Sequence, residues 1–163
     1  MGSEVQEHLL KVTNAFTDRD LVTSQRMIDA DQSINERRIK IGLDSLTLIA
    51  TQSPMARDMR MIGAVLETVG ELERIHDYIK GIGKISLTLG PGPIPQALSL
   101  HLPEMAEIAS EMLFQALKAF ANRDQELARR VPGMDDRVDF LFNELYGEIV
   151  ALDTPDGLKS MVG

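Results

Sequence analysis

Apolar residues recur along most of this chain at steps of three and four, the spacing of a helix with one buried face. The pattern is cleanest where Ile62, Val65, Val69, Leu72, His76 and Ile79 follow one another at intervals of 3, 4, 3, 4 and 3, a heptad seam. It predicts three helices over roughly 3–16, 20–51 and 54–87, then two more over roughly 96–121 and 124–152. Between the two groups lies LGPGPIPQ, residues 89–96, whose glycines and prolines cannot continue a helix. Ser53 is expected to cap the third helix, with Pro54 at its first position. Pro103 is expected to bend the fourth helix and Pro132-Gly133 to interrupt the fifth. A short segment, 154–163, follows. The fold class is therefore all-α: a first unit over 1–89, a Pro/Gly linker over 90–95 and a second unit over 96–163.

The two units are related. AFTDRDLVTSQRMIDADQSIN (15–35) aligns without a gap on AFANRDQELARRVPGMDDRVD (119–139), at a constant offset of 104. Ala15, Phe16, Arg19, Asp20, Arg26 and Asp31 meet identical residues, Ile34 meets Val138, and Asn35 meets Asp139. This is an internal repeat of a helical unit. The same offset carries the acidic stretch around residues 73–77 past residue 163, so the second unit is expected to lack most of its third helix.

Composition narrows the function. With 44% hydrophobic residues in a chain of 163 the sequence can bury a core, while only 4% aromatics and no tryptophan favour helices over a β-sandwich. The absence of cysteine excludes disulfides, thiolate metal sites and cysteine nucleophiles. No apolar run is long enough to span a bilayer and the start lacks a signal-peptide core, so no membrane insertion and a cytoplasmic address are expected. A net charge of −8 disfavours nucleic acid as a partner. No phosphate-binding glycine loop and no Gly-x-Ser-x-Gly elbow occurs.

The charged residues interleave with the seam. In ELERIHDYIKG (71–81), Glu73 and Asp77 stand one turn apart on the flank of the third helix, where two carboxylates can share one cation. With 25 acidic residues in the chain, many such pairs are simply solvated. Both readings of this pair stand at this point.

Three segments carry a resemblance to a known family. QSPMARDMR (52–60), LERIHDYIKGI (72–82) and MDDRVDFLFNELY (134–146) occur in the order seen in the PhoU phosphate-uptake regulators. The second resembles that family's Glu-Arg-Ile-x-Asp-x-x-x-Asn signature through Glu73, Arg74, Ile75 and Asp77, with Gly81 in place of its asparagine. The resemblance implies two tandem three-helix bundles, the second incomplete here. It also implies metal-binding acidic motifs: Asp31 and Asn35 facing Glu73 and Asp77 in the first unit, and Asp135 and Asp139 in the second. Oxygen ligands of this kind suit iron, manganese, magnesium or calcium, with zinc possible.

The function so implied is that of a non-enzymatic regulator of phosphate uptake and of phosphate-regulon signalling. Its partners would be the ATPase of a phosphate ABC transporter and a sensor histidine kinase. Two alternatives compete with it. Glu73 and His76 form one Glu-x-x-His pair, the element of a di-metal carboxylate oxidase, although a histidine in the seam more often packs in the core with a hydrogen-bond partner. The other alternative is a metal-free interaction module. Finally, Ile108, Met112, Leu145 and Ile149 form apolar faces that a complete bundle would cover, so homo-oligomerisation through the second unit is expected.

Overall fold

The computed structural model describes residues 1–152, with side chains to residue 150; the expected segment 154–163 lies outside the described residues. Helix α1 spans Gly2–Thr17, α2 Leu21–Gln52 and α3 Ala56–Leu89. After the Gly90–Pro95 connection come α4 (Gln96–Asn122) and α5 (Gln125–Arg130), a 3₁₀ turn (Val131–Met134), and α6 (Asp135–Leu152). No strand occurs among the described residues. α4 runs through Pro103 without breaking, whereas Pro132 and Gly133 sit in the 3₁₀ turn that divides α5 from α6.

The internal repeat is a corner built twice. α1 ends with Arg19 in the left-handed region at φ 59°, and the Asp20 amide donates to the Ala15 carbonyl at 2.8 Å. α4 ends with Arg123 at φ 55°, and the Asp124 amide donates to the Ala119 carbonyl at 2.9 Å. Bonds of this span satisfy carbonyls that the last helical turn leaves open. Each aspartate then caps the next helix: Asp20 Oδ1 accepts from the Thr23 amide at 3.0 Å, and Asp124 Oδ1 from the Leu127 amide at 2.9 Å. In the first corner the Arg19 guanidinium also donates to the Gly90 carbonyl and lies over the Phe16 ring.

The start of α3 differs from expectation. Ser53 does not cap α3; it closes α2 in the left-handed region (φ 44°, ψ 56°), and Pro54 stays in the connection. Met55 is extended, and its carbonyl accepts from the amides of Asp58 and Met59 to form the first turn of α3. Asp58 in that turn favours the positive end of the helix dipole.

α2 and α3 pack antiparallel along most of their length, with the hydroxyls of Ser24 and Ser86 3.0 Å apart at one end. The seam continues past Ile79 through Gly83 and Ser86, both buried. At Gly83 an added Cβ would lie 3.0 Å from the Ser24 carbonyl oxygen and from Ile28 Cγ1, so the α3 backbone there lies close against both backbone and side chain of α2. Val5, Val12, Met27, Ile34, Leu72 and Ile79 make the core, with Leu113 and Leu117 of α4 packed on its edge. α1 also lies against α4, where Gln6 Nε2 donates to the Ser110 carbonyl at 3.2 Å.

Length decides what stays uncovered. At about 1.5 Å of rise per residue, 16-residue α1 reaches only about half as far as 32-residue α2. The far end of the α2–α3 pair accordingly exposes Ile39, Leu43, Leu46, Leu48 and Met55. In the second unit Leu145 is buried and Ile108, Met112 and Ile149 are half-buried, because α4 and α6 pack on each other. The uncovered apolar residues there are instead Phe114, Phe120, Phe140, Phe142, Tyr146 and Val150.

Candidate functional site

α2 carries a seam of its own, Ser24, Met27, Asp31 and Ile34, at steps of 3, 4 and 3, and all four side chains are buried. Asp31 thus points into the α1–α2–α3 core, only 5% exposed. Opposite it, α3 presents His76, which is fully buried. Asp31 Oδ1 accepts from His76 Nδ1 at 3.2 Å, and His76 Nε2 lies 3.0 Å from Nδ1 of His8 on α1. A carboxylate can only accept, so His76 carries its proton on Nδ1. One hydrogen is then shared between His76 Nε2 and His8 Nδ1. The result is a buried chain of one carboxylate and two imidazoles that ties three helices together.

Asp31 Oδ2 is also engaged. It accepts from Lys80 Nζ, one turn beyond His76, and from Asn35 Nδ2 at 3.2 Å. Burial works against ionisation of Asp31, but the hydrogen bonds from Lys80 and His76 and their charge outweigh it and hold the carboxyl below its ordinary range. The Asp31 hydrogen bond in turn raises the Lys80 ammonium above its ordinary value, burial working against it. Lys80 Nζ also stands 3.7 Å from Asp77 Oδ1, and Glu73 Oε2 stands 3.8 Å from Arg38 Nε on α2.

The candidate ligands of the first unit therefore share one α2–α3 interface, yet each is already paired. Asp31 and Asp77 meet Lys80, Glu73 meets Arg38, and Asn35 turns its amide nitrogen toward Asp31 where a metal would need the oxygen. Three carboxylates face two fixed cations, which leaves one net negative charge, too little for the hard anionic pocket a divalent ion requires. Asp135 and Asp139 are exposed on the first turns of α6, a helix that packs on α4 and not on α2 or α3. Among the described residues no three His, Asp or Glu side chains converge as metal ligands. Paired as they are, the described acidic residues do not fit a resident metal ion. Nor is His76 available to an oxidase centre, since both ring nitrogens are already engaged.

A groove of about 950 Å³ opens between the N-terminal half of α3 and the end of α4 with α5. Met61, Leu72, Ile75, Leu113, Leu117 and Phe120 line its apolar floor, and its polar lining mixes Arg57, Arg60 and Arg123 with Asp58, Glu67, Glu71 and Asp124. Ala128 and Val131 on its α5 side are, by the repeat, the counterparts of Ser24 and Met27, buried where α2 meets α3. No signal in the sequence located this groove, because it depends on how α4 is set beside α3.

An all-α chain built from a repeated helix–corner–helix unit, with a core ion-pair network and an open interhelical groove, is organised for binding. The chain belongs to the PhoU family: the PhoU domain profile matches residues 1–86 and 102–161. Among its relatives, the phosphate-specific transport system accessory protein PhoU homolog of Aquifex aeolicus (strain VF5) is 30% identical over 161 residues, covering 98% of this chain and 72% of the relative. That of Rhizobium meliloti (strain 1021) is 27% identical over 150 residues, 92% of this chain and 63% of the relative. The chain thus spans about two thirds of the length of these relatives. The crystal structure of PhoU from Pseudomonas aeruginosa superposes with a TM-score of 0.88 at 26% identity, over 99% of this chain and 78% of that one. PhoU from Streptococcus pneumoniae gives 0.85 at 25% identity, over 98% and 77%. No described helix is long and apolar enough to cross a membrane.

Proposed function

We propose that the protein is a non-enzymatic regulator of phosphate uptake that works by protein–protein binding. The observation that carries this reading is the family match across both copies of the repeat, with relatives named as accessory proteins of a phosphate-specific transport system. The partners proposed are the ATPase subunit of a phosphate transporter and a sensor histidine kinase, met at the cytoplasmic side of the membrane and leading to repression of the phosphate regulon. The α3–α4 groove, apolar inside with a rim of mixed charge, suits the apolar face of a partner helix. No metal-dependent step is assigned to the first unit, because its carboxylates are paired internally.

The test is a titration of purified transporter ATPase and of the kinase cytoplasmic region against the wild-type chain and against Leu117→Asp and Phe120→Asp, with and without chelator. Loss of at least about tenfold in affinity, or about 1.4 kcal/mol, in either variant and no effect of chelator supports the reading. Equal affinity of all three proteins removes the groove from it, and failure of both partners to bind the wild type removes the reading itself.

A further inference from the structure

Lys80 is the feature of the acidic flank that neither the repeat nor the family match assigns. Its ammonium lies between Asp31 of α2 and Asp77 of α3, touching the first and 3.7 Å from the second. A cation joining carboxylates of these two helices would have to stand in that gap. The stem of Lys80 leaves the same face of α3 as His76, four residues earlier, and its side chain is only 29% exposed. The ammonium is therefore delivered to the gap by the fold itself. Asn35 Nδ2 donates to the same Asp31 oxygen, so that oxygen has two nitrogen donors and the other has His76.

We propose that Lys80 is a built-in counter-cation: its ammonium fills the position of a bridging metal ion between Asp31 and Asp77, closing the first unit to divalent cations. A tethered ammonium needs no free ion and holds α2 to α3 at any metal concentration. Removing it leaves the Asp31 and Asp77 carboxylates as two oxygen donors on either side of a gap that a hard divalent ion can enter.

The experiment is calorimetric titration of Mn²⁺ into the chain and into Lys80→Ala, Lys80→Met and Lys80→Arg, with fold checked by circular dichroism, and with Asp31→Asn/Asp77→Asn added to each background. The expected result is that Lys80→Ala or Lys80→Met gains about one saturable ion per chain, which the added Asn pair abolishes. Lys80→Arg, which restores the cation, and the wild type show no ion that the Asn pair removes. A wild-type chain that loses a bound ion on Asp31→Asn/Asp77→Asn overturns the proposal, as does a folded Lys80→Ala or Lys80→Met that gains none. Paramagnetic broadening in the wild type decides the matter without any Lys80 variant. Mn²⁺ that leaves the His76 and Asp77 resonances sharp supports the filled gap, and Mn²⁺ that broadens them refutes it.

Discussion

The chain Lys80–Asp31–His76–His8 makes acidity a stability variable. Burial, then the neighbouring His76, push the His8 imidazole below its ordinary 6.5, with Glu4 pulling the other way. The unfolded chain then takes up a proton at His8 before the folded one does, so this contribution is complete above about pH 6.5 and is lost as pH falls below it. Asp31 follows the same sign at lower pH: its depressed carboxyl stabilises the fold above about 3.8, and the gain is lost as pH falls further. Thermal unfolding midpoints should accordingly drop between about pH 7 and 5, and His8→Gln should flatten that slope; an unchanged slope contradicts the assignment. Asp31→Ala strands the donors of His76 and Asn35 and should cost about 1–3 kcal/mol in urea unfolding, while Glu73→Ala, which loses only a 3.8 Å pair with the half-exposed Arg38, should cost under about 1 kcal/mol.

At this scale legibility was uneven. His76 was readable as a core histidine because it falls in the apolar seam of α3. Asp31 was expected as a ligand facing Glu73 and Asp77, yet Ser24, Met27, Asp31 and Ile34 carry the same 3, 4, 3 spacing, so a signal for its burial was present. The His8–His76 contact joins residues 68 apart in sequence and depends on how α1 is rotated. Only the Val5, His8, Val12 stripe hinted at it. Lys80 was not legible, because a lysine beside a seam reads as solvated surface until the facing helix is known.

Helices are the level at which the glycines differ. Gly70 in α3 has nothing within 4 Å of an added Cβ, so Gly70→Ala should gain up to about 1 kcal/mol of helix propensity. Gly83 has the Ser24 carbonyl oxygen at 3.0 Å, an atom of α2 backbone that cannot step aside cheaply. Gly83→Ala should forfeit that gain, and Gly83→Val should be plainly destabilised; denaturation of the three variants side by side checks the order. Arg123 holds a left-handed conformation, so Arg123→Gly should stabilise by about 1 kcal/mol. Arg19→Gly should not, since the Gly90 contact and the Phe16 stacking go with it. The elements themselves were legible because their apolar spacing is long and regular. Ser53 was misplaced because serine before proline matches a capping pattern, whereas here the turn needed a left-handed terminator for α2.

Across the whole molecule, the exposed aromatics of α4 and α6 support self-association through the second unit. Burying several of them is worth about 1.5–3 kcal/mol each, a gain set against the freedom lost on association. Light scattering over a concentration series should show mass rising with concentration, and Phe142→Ser/Tyr146→Ser should suppress the rise. A constant monomer mass contradicts it. The all-α class and the repeat could be read from the residues alone. The α1–α4 contact and the groove beside it could not, because they follow from how the two units are set against each other across a Pro/Gly connection that carries no packing pattern.

The Arg19–Gly90 contact adds a matter of timing. The two residues are 71 positions apart, so on the ribosome the first corner emerges long before the carbonyl that fastens it. The clasp can snap shut only after the whole α2–α3 hairpin has been made and has folded back. Whatever keeps the nascent hairpin open also leaves that corner unlatched.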